Sequence, residues 1–142
     1  MTGPLHTRPA ALAAVALGGL LGTFARYELG VLFPQTSGHF PLTTFAVNMI
    51  GAFALGLLLE ALARSGPDTG HRRRLRLFAG TGVLGSFTTY SSLAVETDLL
   101  LDGGHPTLAL GYAAGTLAVG LAATIAGIAA GTRVRAGNGQ RA

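Results

Sequence analysis

The sequence predicts an all-α membrane protein with four transmembrane helices in a single domain that covers residues 1–142. Only 11% of its residues are charged and its mean hydropathy is +0.50, whereas soluble proteins average about 25% charged residues. The apolar residues fall into four blocks, at about 10–33, 41–63, 77–100 and 107–131, each near the roughly 20 residues that cross a bilayer. We therefore expect one compact bundle surrounded by lipid, with short polar ends outside it.

Composition excludes several other classes of protein. The absence of cysteine excludes disulfides and thiolate metal sites, and the four histidines lack the spacing of a metal site. The first block contains Arg26 and Glu28 and has no short apolar core followed by a cleavage site, so we expect a permanent span and no signal peptide. A nucleic-acid-binding protein would need a basic face on a soluble fold. We also find no nucleophile–base pair and no phosphate loop with its lysine, so no enzyme is predicted.

The arginines predict the orientation of the chain in the membrane. All ten basic residues are arginines, and only Arg26 lies inside a predicted span. With four spans, the other nine fall on one side: Arg8, Arg64, Arg72, Arg73, Arg74, Arg76, Arg133, Arg135 and Arg141. Because positively charged segments stay in the cytoplasm, both termini are predicted to be cytoplasmic in the plasma membrane.

The third block is predicted to be a broken helix. Residues 82–92 read GVLGSFTTYSS and combine glycines with hydroxyl side chains inside an apolar segment. Lipid offers no hydrogen-bond partners, so a weakened helix persists there only when it is buried in protein or faces a water-filled cavity. Transport proteins place ion sites at such interruptions. The pattern indicates a protein that moves or binds an ion.

Two further polar residues within the first two blocks allow two interpretations each. Asn48 lies in the middle of the second block, with Thr44 one turn before it, and either faces a pore or bonds between helices. Arg26 lies near the far end of the first block. It either faces an aqueous vestibule or snorkels to the interface, paired with Glu28 or a carbonyl.

The last two blocks add a polar stripe and a carboxylate. Tyr112, Thr116 and Thr124 recur at intervals of four and eight residues, which places their hydroxyls along one side of the fourth helix. They either line a narrow anion path or bond to the preceding turn of their own helix. Glu96 lies two turns after Thr89 and is expected either to hydrogen-bond to the break or to mark the end of the helix.

Small residues predict close helix packing. Three glycine pairs have i,i+4 spacing, a pattern that lets membrane helices approach closely. They either form a tight dimer interface or pack within one chain: Gly18 and Gly22, Gly111 and Gly115, and Gly127 and Gly131.

Three ordered motifs resemble those of the Fluc (CrcB) family of fluoride channels. They are GLLGTFARY at 19–27, FAVNMIG at 45–51 followed by Gly56, and the 82–92 segment followed by Glu96. The resemblance extends over all four predicted helices. It implies a fluoride-selective channel built as an antiparallel, dual-topology-type dimer. Two narrow fluoride pathways and a structural sodium ion at the dimer centre are expected.

The resemblance also implies roles for individual residues. The backbone carbonyls of Gly85 and Thr88 would hold the sodium ion, Asn48 would be a pore donor, and Arg26 would lie near an aqueous vestibule. The remaining positions implied for the fluoride pathway or its surroundings are Thr89, Tyr90, Ser91, Leu93, Tyr112, Thr116 and Thr124.

One departure from the family pattern concerns the aromatic residues of the third motif. The family usually has two phenylalanines whose ring edges face the anion, and this chain has Tyr90 and Leu93 there. A homodimer of opposed chains would also require a more balanced arginine distribution. These two observations predict a fixed-orientation half of a heterodimer whose oppositely inserted partner is a paralogue; otherwise the second subunit is a copy of this chain.

The function predicted is therefore passive export of cytoplasmic fluoride through a membrane channel, which gives fluoride resistance. Fluoride, sodium, membrane lipid and a second subunit are the expected partners. Two alternatives stay open. A small proton-coupled multidrug exporter would need a carboxylate deep in its first helix, and Glu28 lies near the end of that block. A non-conducting structural membrane subunit would be indifferent to substitution of Asn48.

Overall fold

A computed structural model describes residues 8–134, and every regular element in that range is helical. Three of the helices are long and apolar enough to cross a membrane: α1 (Pro9–Leu32), α2 (Leu42–Ser65) and α6 (Pro106–Val134). Their outer faces carry many exposed leucines, phenylalanines and isoleucines. Because such surfaces are unfavourable in water, lipid or another subunit must cover them. The prediction of an all-α membrane protein is confirmed at this level.

The chain between α2 and α6 is helical in short pieces, which we call the interrupted segment (residues 70–102). It consists of α3 (Gly70–Leu75), a π-helical stretch (Arg76–Leu84), α4 (Gly85–Phe87) and α5 (Tyr90–Asp102). This segment covers the third block, which was predicted at about 77–100 as a broken helix. Residues 70–87 form one unbroken helical run and residues 90–102 a second, and neither run reaches the roughly 20 residues of a single membrane-crossing helix.

Backbone conformation changes between α4 and α5. Thr88 has ψ 155° and Thr89 has φ −147° and ψ 122°, so both are extended. Thr89 then begins α5, because its side-chain oxygen accepts a hydrogen bond from the Ser92 amide at 3.1 Å. Thr89 therefore separates α4 from α5 through its extended backbone and caps the start of α5 through its hydroxyl.

The helices pack in two layers of close contact. α2 packs along α6, while α1 packs against the π-helical stretch and α4. Gly18 and Gly22 make the second contact possible, because a Cβ at either position would collide with the backbone carbonyl of Phe78 or Val83. Gly127 plays the same role for α6, where a Cβ would collide with the carbonyl of Phe53 on α2.

Two of the three glycine pairs thus pack within one chain. Gly131 continues the contact of Gly127, since its Cβ would lie 2.8 Å from that of Glu60. Gly111 and Gly115 differ, because a Cβ at either position would meet no atom within 4 Å. The glycine spacing therefore has different uses in different pairs. The first and last pairs pack within the chain, whereas the middle pair, Gly111 and Gly115, faces open space.

Candidate functional site

Asn48 joins α2 to the break in the interrupted segment. Its side-chain Nδ2 donates to the Thr89 carbonyl at 3.0 Å, and its Oδ1 accepts from the Thr89 amide at 2.8 Å. One side chain thus pairs both backbone groups of an extended residue, which would otherwise lack partners at this depth. Asn48 therefore stabilises the extended backbone at Thr89, and both polar atoms of its side chain are used in hydrogen bonds to that backbone.

The break leaves the carbonyls of residues 85–88 without their helical donors, because α5 begins only at Tyr90 and the Thr89 amide is bonded elsewhere. In a continuous α-helix the Thr89 amide would bond to the Gly85 carbonyl and the Ser92 amide to the Thr88 carbonyl. Here the Thr89 amide donates to Asn48 and the Ser92 amide donates to the Thr89 hydroxyl. The two carbonyls predicted to hold sodium are thus among those that lose their helical donors; the Ser86 carbonyl is another, and it accepts from Arg26 Nε. Carbonyl oxygens suit a hard cation, so these residues fit a sodium ion.

A cation at this place would depend on backbone oxygens. Within residues 8–134, no group of three or more His, Asp or Glu side chains could hold a metal ion. Gly85 is exposed on the surface of the single chain, and its own amide is bonded back to the π-helical stretch. Because Gly85 lies on the surface, a cation held there by one chain alone would be uncovered on its outer side.

A lateral groove of about 490 Å³ runs along the outside of the break. It brings together seven of the residues singled out from the sequence. Among its lining residues are Asn48, Thr88, Thr89, Tyr90, Leu93, Thr116 and Thr124. Tyr90 is 79% exposed and projects from the chain, whereas Leu93 is 6% exposed and packs into the core beside Tyr112. The two positions that carry phenylalanine in the family motif therefore have opposite surroundings here.

Thr116 differs from every other hydroxyl residue of the groove. It is only 5% exposed, and its Oγ1 is buried without a hydrogen-bond partner. Thr124 instead donates to the carbonyl of Gly120 on its own helix at 3.0 Å, and Thr88 donates to that of Leu84 at 3.0 Å. A buried hydroxyl without a partner is unfavourable by roughly 1–3 kcal/mol. Among the described residues, Thr116 thus has the one buried hydroxyl whose hydrogen-bonding capacity is unused.

Arg26 lines a second cavity, which we call the Arg26 cavity, with a volume of about 420 Å³. Its Nε donates to the Ser86 carbonyl at 3.2 Å, so it links α1 to α4. The predicted pairing of Arg26 with a carbonyl is thus present. Thr89 lines both the Arg26 cavity and the lateral groove. The remaining guanidinium surface gives the Arg26 cavity a positive charge.

Glu96, which also lines the Arg26 cavity, is the centre of a polar cluster. Its Oε1 accepts from Thr44 Oγ1 at 2.6 Å and from Gln35 Nε2 at 2.5 Å, and its Oε2 accepts from the Tyr112 hydroxyl at 2.5 Å. Tyr112 is fully buried and does not line the groove; its ring packs edge-on against Phe40 at 5.3 Å. The stripe predicted on α6 is therefore divided, with Tyr112 turned towards Glu96 and the two threonines towards the groove.

A third cavity of about 700 Å³ lies under the connection between α1 and α2, and we call it the loop cavity. Ser91 lines it, together with residues 35–39, and does not line the lateral groove. The loop cavity shares Gln35, Ser92 and Glu96 with the Arg26 cavity. The Arg26 cavity therefore lies between the other two: it shares Thr89 with the lateral groove, and Gln35, Ser92 and Glu96 with the loop cavity.

Sequence reasoning did not single out Gln35, and it left the role of Glu96 open. Glu96 accepts hydrogen bonds from three side chains of other elements, and within residues 8–134 none of its hydrogen bonds goes to the break. A carboxylate within an apolar block signals that donors must surround it. Gln35 carries no comparable signal, because a glutamine in a polar turn is ordinary.

Comparison with known proteins assigns the family. Residues 13–128 match the family model described as CrcB-like protein, Camphor Resistance (CrcB). A fluoride-specific ion channel FluC 2 from Leifsonia xyli subsp. xyli is 50% identical over 131 residues, which cover 92% of this chain and 90% of the relative. A fluoride-specific ion channel FluC from Thermus thermophilus is 49% identical over 108 residues, covering 75% of this chain and 83% of the relative. Another from Paracoccus denitrificans is 44% identical over 117 residues, covering 82% and 90%. Because the family model matches residues 13–128, which are most of the chain, this multi-pass membrane protein belongs to the CrcB family.

Proposed function

We propose that this chain is a subunit of a fluoride channel that lets cytoplasmic fluoride leave the cell passively. The relatives described above are named for fluoride-specific conduction. The observation that carries the proposal is the succession of three adjoining cavities, with Thr116 and Arg26 on their walls. No covalent chemistry is required, so the protein acts as a channel and not as an enzyme.

The donors along the cavities suit a small anion. Fluoride holds its water strongly, so a selective path must replace that water with hydrogen-bond donors at short range. The unpartnered Thr116 hydroxyl is one such donor, and the Arg26 guanidinium supplies positive charge nearby. Tyr90 offers a ring edge and a hydroxyl at the rim of the groove.

The fluoride path is completed by a second subunit in this proposal. The lateral groove is open on its outer side, and Tyr90 and the Gly111–Gly115 face have no neighbour in the single chain. An opposed second chain that packs on this face would close the groove. The interrupted segment then serves as a fourth span, which brings both termini to the cytoplasm with the arginine-rich ends.

Sodium fits the same arrangement. The freed carbonyls of Gly85 and Thr88 would meet their counterparts from the second chain, so that four oxygens surround one ion. If so, exchange of sodium for N-methyl-glucamine should lower the thermal stability of the dimer, and added potassium should restore it less well than added sodium. Equal stability in all three salts would remove sodium from the proposal.

The second subunit is a paralogue in the version of the proposal that we favour. Leu93 is buried in the core and offers no ring edge to an anion, and nine arginines lie on one side of the predicted topology. A chain with such a bias inserts in one orientation. The oppositely inserted partner would then supply the aromatic groups.

The deciding experiment is electrode-detected fluoride efflux from liposomes that contain the purified chain alone, with chloride efflux as the control. Fast efflux of fluoride without chloride would establish the channel and exclude an obligate heterodimer. No efflux from a folded sample, followed by efflux after co-expression with a paralogue, would establish the heterodimer. Proton-driven transport of organic cations would overturn the proposal in favour of a drug exporter.

A further inference from the structure

We propose that Gln35 is a positioning residue for conduction: it holds the Glu96 carboxylate against α2 and α6 and so keeps it away from Arg26. The proposal rests on the fluoride-channel function above. It starts from an electrostatic conflict, because Arg26 and Glu96 line the same cavity. An anion that enters there is attracted by the guanidinium and repelled by the carboxylate.

The structure resolves this conflict through hydrogen bonds to Glu96. Three neutral donors converge on the carboxylate, and they come from three different parts of the chain: Thr44 on α2, Tyr112 on α6 and Gln35 in the α1–α2 connection. Hydrogen bonds to a charged acceptor are stronger than neutral ones. Both carboxylate oxygens are engaged, so Glu96 is drawn towards these donors.

Gln35 also braces one of the other donors. Its Nε2 donates to Thr44 Oγ1 at 2.9 Å as well as to Glu96, so its two N–H groups serve the same cluster. Two contacts fix the connection that carries it. The Thr43 hydroxyl donates to the Phe33 carbonyl at 2.7 Å, and Gly38 lies so near His105 that an added Cβ would be 3.1 Å from its Nε2. Gln35 is therefore held in place although its side chain is exposed.

Position in the cavities gives the third argument. Gln35, Ser92 and Glu96 are the residues common to the Arg26 cavity and the loop cavity, so an ion that passes between them passes this bridge. Loss of the Gln35 amide would leave Oε1 with one donor. Within the cavity that both residues line, the carboxylate could then turn towards Arg26 and neutralise the charge that recruits fluoride.

The test is the fluoride dependence of efflux from liposomes that contain Gln35→Met, a change that keeps side-chain length and removes the donors. We expect the half-saturating fluoride concentration to rise about fivefold, which corresponds to about 1 kcal/mol, with the maximal rate little changed. Leu42→Met is the control, because Leu42 is exposed at the start of α2 and lines none of the three cavities. It should behave as the wild type.

Two further backgrounds separate positioning from a general structural role. The effect of Gln35→Met should disappear in Arg26→Gln, where no guanidinium remains to be neutralised, and also in Glu96→Gln, where no charge remains to be held. An equal effect in either background, or wild-type behaviour of Gln35→Met, would overturn the inference and leave the channel intact. A wild-type protein, alone or with its paralogue, that conducts no fluoride would overturn the proposed function and this inference together.

Discussion

Asn48 and Thr116 line the same groove, but they stand in opposite relations to the rest of the chain. Asn48 gives its amide nitrogen and oxygen to the backbone of Thr89, while the Thr116 hydroxyl is buried without a partner. From the sequence both are polar residues in apolar helices. Polar residues within a span can therefore have two roles. Asn48 stabilises the backbone of the chain, whereas the Thr116 hydroxyl lacks a partner that a ligand or a second subunit would have to supply.

The glycine pairs of α6 divide in the same way. Gly127 and Gly131 are in close contact with α2, whereas Gly111 and Gly115 face open space. Thr116 lines the lateral groove together with the exposed Tyr90, and the open pair lies in the same half of α6. The unfilled contacts of α6 therefore concentrate in its first half, and the proposal places a second subunit there.

Replacement of Asn48 should have the largest effect. Asn48→Leu leaves the Thr89 N–H and carbonyl unpaired at about 1–3 kcal/mol each, so we expect a loss of about 4 kcal/mol of stability and efflux no faster than that of empty liposomes. Detergent-titrated unfolding and fluoride efflux would measure the two quantities. Ile50→Leu, on an exposed position of the same helix, is the control. Wild-type stability of Asn48→Leu would show that the break does not depend on this side chain.

The glycine contrast predicts the next largest effect. Gly127→Ala should destabilise the chain by about 3 kcal/mol, because its Cβ would collide with the Phe53 carbonyl and both helices would have to separate. Gly115→Ala has the same chemistry in open space and should stabilise the isolated chain slightly, since alanine favours a helix. Unfolding of the two variants side by side measures the difference. Equal destabilisation would contradict the assignment of the pairs to different neighbours.

Thr116→Val should separate function from stability. The change removes a hydroxyl that has no partner, so stability should stay equal or rise by up to about 1 kcal/mol. If the hydroxyl binds fluoride, efflux should fall about tenfold, as expected for the loss of about 1.4 kcal/mol in the transition state. Thr124→Val is the matched control, because its hydroxyl bonds within its own helix. Unchanged efflux in Thr116→Val would remove this residue from the path.

Much of the fold could be predicted because a bilayer imposes few solutions. The apolar blocks at about 10–33, 41–63 and 107–131 correspond to α1, α2 and α6 to within about three residues at each end. Hydrophobicity determines these spans, and hydrophobicity is a property of the local sequence. The third block was the hardest to describe, since glycines and hydroxyls weaken a helix without specifying its pieces.

The site could be predicted only in part, because its contacts join distant parts of the chain. Asn48 and the break stood out as polar groups in apolar surroundings, and the structure brings them together across 41 positions. Gln35 and Glu96 are 61 positions apart, and nothing local indicates their contact. The direction of Tyr112 was also hidden, because the interval of four that aligns it with Thr116 does not determine which of them faces the core.

The smallest effect is expected for the ion pair between Asp68 and Arg76, because both side chains are partly exposed. Asp68 accepts hydrogen bonds from Arg76, with Nη2 and Oδ2 2.6 Å apart, and this guanidinium holds the pKa of Asp68 below its usual value. A lowered pKa in the folded state stabilises the fold above the unfolded pKa, and this contribution is lost as pH falls through the folded pKa. Asp68→Asn should therefore lower stability only slightly at neutral pH, because exposed pairs are screened. The difference from the wild type should shrink as the medium is acidified. Unfolding curves at neutral and acidic pH, with Asp102→Asn as the control, would measure it. A difference that stays constant with pH would mean that Asp68 acts through its shape and not through its charge.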